Sequence, residues 1–390
     1  MHRVHGRAVA CLLAVAAVAG SAAAQRIPDR LADTTFWRIV STFSEPTGSF
    51  PSDNFVSNEN EWQYVIPGSL NRVSTNGAYI GVGPEQNFTY IAAFSPRIAF
   101  ICDIRRQNLD EHLLYKALLE MSRDRAELLS LLWSRARPDG LDSSSTPAAL
   151  ADAFARAVAD TALERATLAS VLHRLVNDHG FLLTADDTTG VRNVLGAFRL
   201  AGPGISYSSG VQIFRIITSG DTTFRTVSAP ANTRASGFVS FARLMLEDDG
   251  AGTNRGWLGS EAAFRRVKEY EERNLIVPVV GDFAGPKALR TVGEYLREHD
   301  TRVSVFYTSN VEEYLFRDPG NWKKFYASVA TLPTDSSSMY IRSVSITRQV
   351  MPRKASSILA QTTSSMDGLT RAFAANHIAS YYDIIALRDR

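Results

Sequence analysis

Two short apolar runs that each end in a glycine-containing loop constrain the fold most. The first run spans residues 77–83 and is followed by Pro84 and Glu85, which favour the first turn of a helix. The second spans Leu275–Val280 and runs into the loop Gly281–Gly285. Short apolar runs bounded by turn residues are typical of strands that are buried on both faces. The two runs therefore predict parallel strands.

A helix and a second strand are expected after each run. Helical spacing of apolar residues predicts a helix over Glu85–Phe94, followed by a strand over Arg97–Ile104. The second unit continues with a helix over Pro286–His299 and a strand over Arg302–Thr308, and a further strand is expected over Ser338–Ile346. Strands that alternate with helices predict an α/β fold with a doubly wound, mostly parallel, Rossmann-like sheet.

The rest of the chain is organised around this domain. Leu109–Arg135 has the pattern of one long helix or a broken pair, and Ala148–Asn177 has that of one amphipathic helix. We expect four parts: a signal peptide at 1–24, an irregular lead-in at 25–70, a Rossmann-like α/β domain at 71–350 with a helical insertion near 139–200, and a C-terminal segment at 351–390.

The first 24 residues have the three-part pattern of a secretory signal peptide. A basic start is followed by an apolar run over Ala8–Gly20 and by the small residues Ala22–Ala24. This predicts export to the periplasm or the extracellular space. No later segment is apolar over the roughly 20 residues that a membrane span needs, so no transmembrane segment is expected in the mature chain.

Charge and cysteine content limit the classes of partner. The chain has 42 basic and 40 acidic side chains, and cleavage would remove Arg3 and Arg7. The resulting balance argues against a nucleic-acid partner, because such proteins usually carry a basic excess. Only Cys102 would remain, so no intrachain disulfide is expected. The histidines are scattered without ligand spacing, and no metal site is predicted.

A ligand is expected beyond the carboxyl ends of the parallel strands, near the point where the strand order reverses. Four polar loops follow predicted strands: Gly81–Gln86, Asp103–Gln107, Gly281–Gly285 and Thr308–Glu312. Gly81 and Gly83 permit close approach of a ligand to the backbone, and Asp103 is placed to accept hydrogen bonds from a ribose diol. Alternatively, the glycines only turn a corner and Asp103 pairs with Arg105 or Arg106.

Other residues at the strand ends are candidates for chemistry. The dinucleotide fingerprint would need glycine at position 86, where this chain has Gln86. Asp282 and Glu312 are candidate general bases. Alternatively, Asp282 caps the helix at Pro286 and Glu312 interacts with a helix dipole. Asn310 is a candidate for lining the same crevice.

Four blocks of sequence resemble an uncharacterised bacterial family that is distantly similar to class I S-adenosylmethionine-dependent methyltransferases. The blocks are residues 79–90, 99–106, 276–286 and 306–314. The resemblance implies that Gly81 and Gly83 take the place of the cofactor-loop glycines. It also implies that Asp103 takes that of the ribose-binding acid, and Asp282 that of the acid or amide after the fourth strand.

The same resemblance makes S-adenosylmethionine a candidate cofactor and places Glu85, Asn87 and Asn310 among the cofactor-binding residues. Tyr79 stands where a methyltransferase loop usually has an acid, and Glu85 where it has a third glycine. Together with export, the altered loop favours a degenerate, methyltransferase-like binding protein with a crevice for a nucleoside-type small molecule. The alternative is an active methyltransferase for a small or peptide acceptor, since methyl transfer chiefly needs an aligned site.

Overall fold

A computed structural model of the chain describes residues 26–50, 52, 54–207, 239–345 and 359–389. The predicted signal peptide at 1–24 lies outside the described residues, as do the first eight residues of the predicted C-terminal segment. No helix of the described part combines the length and the apolar character that crossing a membrane requires.

A six-stranded mixed sheet forms the centre of the molecule. Its strands are β1 (Ala78–Gly81), β2 (Ile98–Asp103), β3 (Ile276–Val280), β4 (Val303–Ser309), β5 (Met339–Ser345) and β6 (Leu359–Ser365). Their order is β3-β2-β1-β4-β5-β6, and β1 to β5 are mutually parallel. The five strands expected from the sequence are thus confirmed. The order is that of the doubly wound nucleotide-binding sheets, so the fold is α/β and compatible with a Rossmann-like fold.

Helices surround this sheet. They are α1 (Asp33–Phe43), α2 (Ile66–Ser69), α3 (Gln86–Phe94), α4 (Arg106–Met121), α5 (Arg125–Trp133), α6 (Pro147–Arg156), α7 (Thr161–His173), α8 (Ala185–Ala201), α9 (Phe241–Leu244), α10 (Glu261–Glu272), α11 (Ala288–Glu298), α12 (Val311–Leu315), α13 (Pro319–Val329), α14 (Met366–Ala374) and α15 (Tyr381–Ala386). A π-helical turn follows α7 at Arg174–Asp178, and a 3₁₀ turn follows α8 at Gly202–Gly204.

The helices cover both faces of the sheet. On one face, Phe88 of α3 packs edge-on against Tyr115 of α4, with ring centroids 5.4 Å apart. On the other face, Phe43 of α1 and Tyr295 of α11 both pack against Phe100 of β2. Right-handed crossovers explain this arrangement, because the chain moves outward from β1 to β3 and then returns to β4. The direction therefore reverses between β1 and β4.

Two local predictions are corrected by the structure, and one open alternative is decided. The lead-in, predicted to be irregular, contains α1, whose Phe36, Ile39 and Val40 are buried at helical spacing. The helix predicted over Ala148–Asn177 is two helices, because Asp160 accepts hydrogen bonds from the first turn of α7 and starts it anew. Leu109–Arg135 is the broken pair α4 and α5.

Strand β6 was not predicted. It pairs antiparallel with β5 from Met339↔Ser365 to Ser345↔Leu359, so the C-terminal segment belongs to the same sheet as the preceding domain. Its sequence Leu-Ala-Gln-Thr-Thr-Ser-Ser is mostly polar. Such a composition is acceptable in an edge strand, but it provides little apolar pattern for a prediction.

Candidate functional site

A cavity of about 240 Å³, partly open to solvent, lies at the carboxyl ends of β1 to β4. Its position is the point where the strand order reverses, which is where doubly wound sheets bind ligands. All four predicted loops contribute to its lining, through Gly83, Asp103, Asp282 and Asn310. We call this cavity the crevice.

Asn87 shapes the glycine loop from behind and does not line the crevice. Its Nδ2 donates to the carbonyl oxygens of Val82 at 3.0 Å, Gly83 at 3.1 Å and Pro84 at 2.8 Å. Its Oδ1 accepts a hydrogen bond of 2.7 Å from the Tyr79 hydroxyl. With both side-chain atoms engaged and the residue fully buried, Asn87 is not free to bind a ligand, contrary to the prediction.

Gly81 is required by this same hydrogen bond. A Cβ at position 81 would lie 2.0 Å from Asn87 Oδ1 and 2.7 Å from the Tyr79 ring, so any side chain would displace both partners. Gly81 does not line the crevice. The Tyr79 hydroxyl therefore serves to hold the loop through Asn87.

His112 of α4 supports the loop from a third direction, and no motif in the sequence indicates this role. Its Nε2 lies 3.0 Å from the Gly83 carbonyl oxygen. Burial lowers the pKa of His112 to about 4, so the ring is neutral at pH 7. Because a carbonyl oxygen only accepts, the Nε2 carries the proton and donates it.

Gly83 provides a test of the loop conformation. Its φ is +83°, a region that costs other residues about 1–2 kcal/mol. We expect Gly83→Ala to lower the free energy of unfolding by about that amount and also to weaken ligand binding. Gly140 is a matched control outside the crevice, since its φ is +77° and a Cβ there would meet no atom within 4 Å. Urea unfolding should show similar losses for both alanine variants, and an unchanged Gly83→Ala protein would show that the loop does not require glycine.

Asp103 lines the crevice and is also paired with Arg105. Its Oδ1 accepts from the Arg105 backbone N–H at 2.9 Å and from Nε at 3.0 Å, while its Oδ2 accepts from Nη2 at 2.9 Å. The pairing alternative is therefore confirmed for Arg105, whereas Arg106 pairs with Asp187. A carboxylate offers about four acceptor positions. Three are used here, so Asp103 retains capacity for one further donor.

Asp282 lies in the crevice after β3, the third strand, and not after the fourth as the resemblance implied. Its Oδ1 accepts a hydrogen bond of 2.9 Å from the Ala284 backbone N–H. The expectation that it caps the following helix is wrong. Glu45 does so, accepting from the backbone N–H groups of Lys287 at 2.7 Å and Ala288 at 2.9 Å.

Glu312 is not in the crevice, which corrects its prediction as a general base there. It is 1% exposed. Its Oε2 accepts from Arg342 Nε and from the Thr308 hydroxyl, and its Oε1 accepts from the Tyr326 hydroxyl. Although Glu312 does lie in the first turn of α12, its main partner is the buried guanidinium of Arg342. Both carboxylate oxygens of Glu312 are thus occupied by hydrogen bonds within the fold.

Glu85 does not line the crevice. It borders a smaller, separate cavity together with Trp62 and Trp257. Burial raises its pKa to about 8, so its carboxyl is mostly neutral at pH 7. The prediction that Glu85 contacts a cofactor in the crevice is not met, and its charge does not oppose an anionic group there.

Residues of the lead-in border the crevice, a role that the sequence did not indicate. The Gly48 N–H donates to the Ile104 carbonyl oxygen at 2.9 Å, and Arg105 Nη1 donates to the Ser52 carbonyl oxygen at 3.2 Å. Phe50 packs edge-on against Tyr314 of α12, with centroids 5.2 Å apart. These contacts join the lead-in to both sides of the crevice and limit its opening to solvent.

Two kinds of reactive group could add chemistry among the described residues around the crevice: metal ligands and cysteine thiols. Within the described ranges, no three His, Cys, Asp or Glu side chains are grouped so as to hold a metal ion. Cys102 borders the crevice. Burial raises the pKa of its thiol to about 12, so the thiol stays protonated at neutral pH and is a poor nucleophile.

The fold and the crevice define a doubly wound α/β protein with a small-molecule-sized cavity at its topological switch point. The chain belongs to the family DUF7790, which is described as a domain of unknown function and matches residues 54–165 and 223–382. The matched segments include all four loops of the crevice. No curated protein matches the chain.

Proposed function

We propose that this protein is exported and binds a nucleoside-type ligand in the crevice, with S-adenosylmethionine as the leading candidate, as a methyltransferase-like binding protein. One observation carries the proposal. Gly83, Asp103 and Asp282, which follow three neighbouring parallel strands, line a single cavity at the switch point. This is where the fold class binds nucleotides.

The polar groups of the crevice suit a nucleoside. Gly83 permits close backbone approach, and the remaining acceptor capacity of Asp103 suits a ribose hydroxyl. Ile104 and Phe283 line the cavity beside the two aspartates. They offer apolar surface against which a purine ring can pack, while Asp282 can accept from an exocyclic amino group.

The charge of the crevice favours a ligand without phosphates. Among the residues that line it, Asp103 and Asp282 are acidic and Arg105 is basic. Because Arg105 is already engaged by Asp103, little positive charge remains to bind a phosphate. A sulfonium cation is compatible with this balance. Gln86 stands where the dinucleotide fingerprint needs a glycine, which likewise argues against a phosphate-containing dinucleotide as the ligand.

Calorimetric titration of the mature protein with S-adenosylmethionine and S-adenosylhomocysteine tests the proposal. We expect Asp103→Asn to weaken binding by about 1–3 kcal/mol, since a charged hydrogen-bond acceptor is lost. Asp29→Asn is the matched control: Asp29 also pairs with an arginine, Arg97, but is 84% exposed and lies outside the crevice. Absence of heat at millimolar ligand would reject the proposal.

The same mixtures distinguish binding from turnover. Asn310 lines the crevice at the end of β4, across the switch point from the glycine loop. This position favours an active methyltransferase as the second candidate function, because an acceptor molecule held at Asn310 would lie near the ligand. Release of S-adenosylhomocysteine in the presence of small amines, thiols or peptides would support that second function.

A further inference from the structure

Two residues of the crevice have an unusual backbone conformation. Seven described residues other than glycine have positive φ: Asn54, Ser95, Ser134, Asn274, Asp300, Ser309 and Asn376. Five of them lie within two residues after the end of a helix, where this conformation is a common terminator. The other two, Asn54 and Ser309, both line the crevice. Strained backbone of this kind is often retained at functional sites.

Ser309 has a φ of +51° and is the last residue of β4, two positions before the start of α12. Its hydroxyl donates a short hydrogen bond to Glu59 Oε1. A serine on a strained turn between a strand and a helix, at the carboxyl edge of a parallel sheet, is the backbone setting of serine nucleophiles in other α/β enzymes. Ser309 thus lines the cavity while its hydroxyl proton is directed to Glu59.

Glu59 is suited to act as a base. It is 1% exposed, and none of the ion pairs between described residues includes it. Its Oε2 accepts a hydrogen bond of 2.8 Å from Gln361 Nε2, which fixes the carboxylate in place. Burial raises the pKa of Glu59, although hydrogen bonds from Ser309 and other side chains oppose the rise. A carboxylate with a raised pKa is a stronger base toward a hydroxyl.

We propose that Ser309 is a nucleophile and Glu59 its general base, and that together they take the acyl group of an ester bound in the crevice. This activity goes beyond the proposed binding function, because it adds a covalent step at the opposite side of the switch point. Glu59 and Ser309 are 250 positions apart in the sequence, so no short sequence motif contains both of them.

The step balances without a further reactant. Ser309 Oγ forms a bond to the carbonyl carbon, and Glu59 takes the hydroxyl proton. The bond from that carbon to the alcohol oxygen then breaks, and the leaving alkoxide takes the proton from Glu59. Water, deprotonated by Glu59, then adds to the acyl carbon. The bond from that carbon to Ser309 Oγ breaks, Oγ takes the proton back from Glu59, and the acyl group leaves as a carboxylic acid. The amides of Asn54 and Asn310 line the same cavity and are the candidate donors to the oxyanion.

Covalent labelling of the full chain with diisopropyl fluorophosphate tests this proposal, because an activated serine displaces fluoride and retains the phosphoryl group. We expect the adduct on Ser309 by peptide mass spectrometry. Ser309→Gly should lose the adduct and remain folded, since glycine adopts the same φ without strain. Ser95→Gly is the matched control, with a φ of +48° at a helix end outside the crevice, and should label normally.

The variant Glu59→Gln tests whether Glu59 acts as a base or only holds Ser309 in place by a hydrogen bond. We expect its labelling rate to fall by about 10²–10⁴-fold, and the wild-type rate to rise with pH as Glu59 loses its proton. Absence of an adduct, an adduct on another residue, or an unchanged rate in Glu59→Gln would overturn the proposal. If Ser309→Gly fails to fold, the Glu59→Gln rate and the site of labelling decide. None of these results depends on affinity for S-adenosylmethionine.

Discussion

Glu312→Gln is expected to lower the free energy of unfolding by about 3–5 kcal/mol, the usual cost of leaving a buried charge without its partner. The uncompensated charge would be that of Arg342, whose side chain is 2% exposed and whose Nε donates to Glu312. Tyr326 and Thr308, which also donate to this carboxylate, would lose a charged acceptor. Chemical denaturation of the purified variant measures the loss.

An exposed ion pair provides the control for Glu312. Asp367 pairs with Arg371 one helical turn away, and their side chains are 41% and 70% exposed. Asp367→Asn should cost less than about 1 kcal/mol, as exposed pairs usually do. Removing both buried charges, by Glu312→Leu with Arg342→Met, should recover part of the loss. A loss below about 1 kcal/mol for Glu312→Gln would show that this pair does not stabilise the fold as argued.

Asn87→Ala is expected to cost about 2–4 kcal/mol of stability and to abolish ligand binding, since each buried polar group left without a partner is costly. The side chain holds three carbonyl oxygens of the glycine loop and the Tyr79 hydroxyl. Binding would be lost because, under the proposed function, the loop and not Asn87 itself contacts the ligand. Denaturation and calorimetric titration of the same preparation give both values.

Two further substitutions show whether the loop bonds are responsible. Asn76 lies in an exposed turn just before β1, and Asn76→Ala should stay within about 0.5 kcal/mol of the parent protein. Tyr79→Phe removes one of the four bonds and should give a smaller loss than Asn87→Ala. An Asn87→Ala protein that is stable and binds normally would mean that the loop keeps its shape without these bonds.

The strands and crevice loops were predictable because their signals are local. The apolar runs at 77–83 and 275–280 identify strands by composition and by the glycines that end them. Once parallel strands are inferred, their carboxyl-end loops must share one edge of the sheet. This is why Gly83, Asp103, Asp282 and Asn310 were correctly expected to lie near one another.

The roles of individual acids were not predictable, because each depends on a partner far away in the sequence. Glu312 looked free for catalysis, but Arg342, 30 positions later, neutralises it. Glu45 caps a helix more than 240 positions further along the chain. Such pairs form only when the sheet is assembled, and the periodicity of the sequence does not predict them. Strand β6 was not predicted for a related reason. Its own sequence is mostly polar, and it forms a strand because it pairs with β5.

Hydrogen–deuterium exchange with and without saturating S-adenosylhomocysteine tests whether four loops from four parallel strands form one nucleoside-type binding site. We expect slower exchange together in the peptides that contain Gly83, Asp103, Asp282 and Asn310, with unchanged exchange in α6 and α7. Unchanged exchange in all four loops, or protection confined to another face of the molecule, would contradict a shared site.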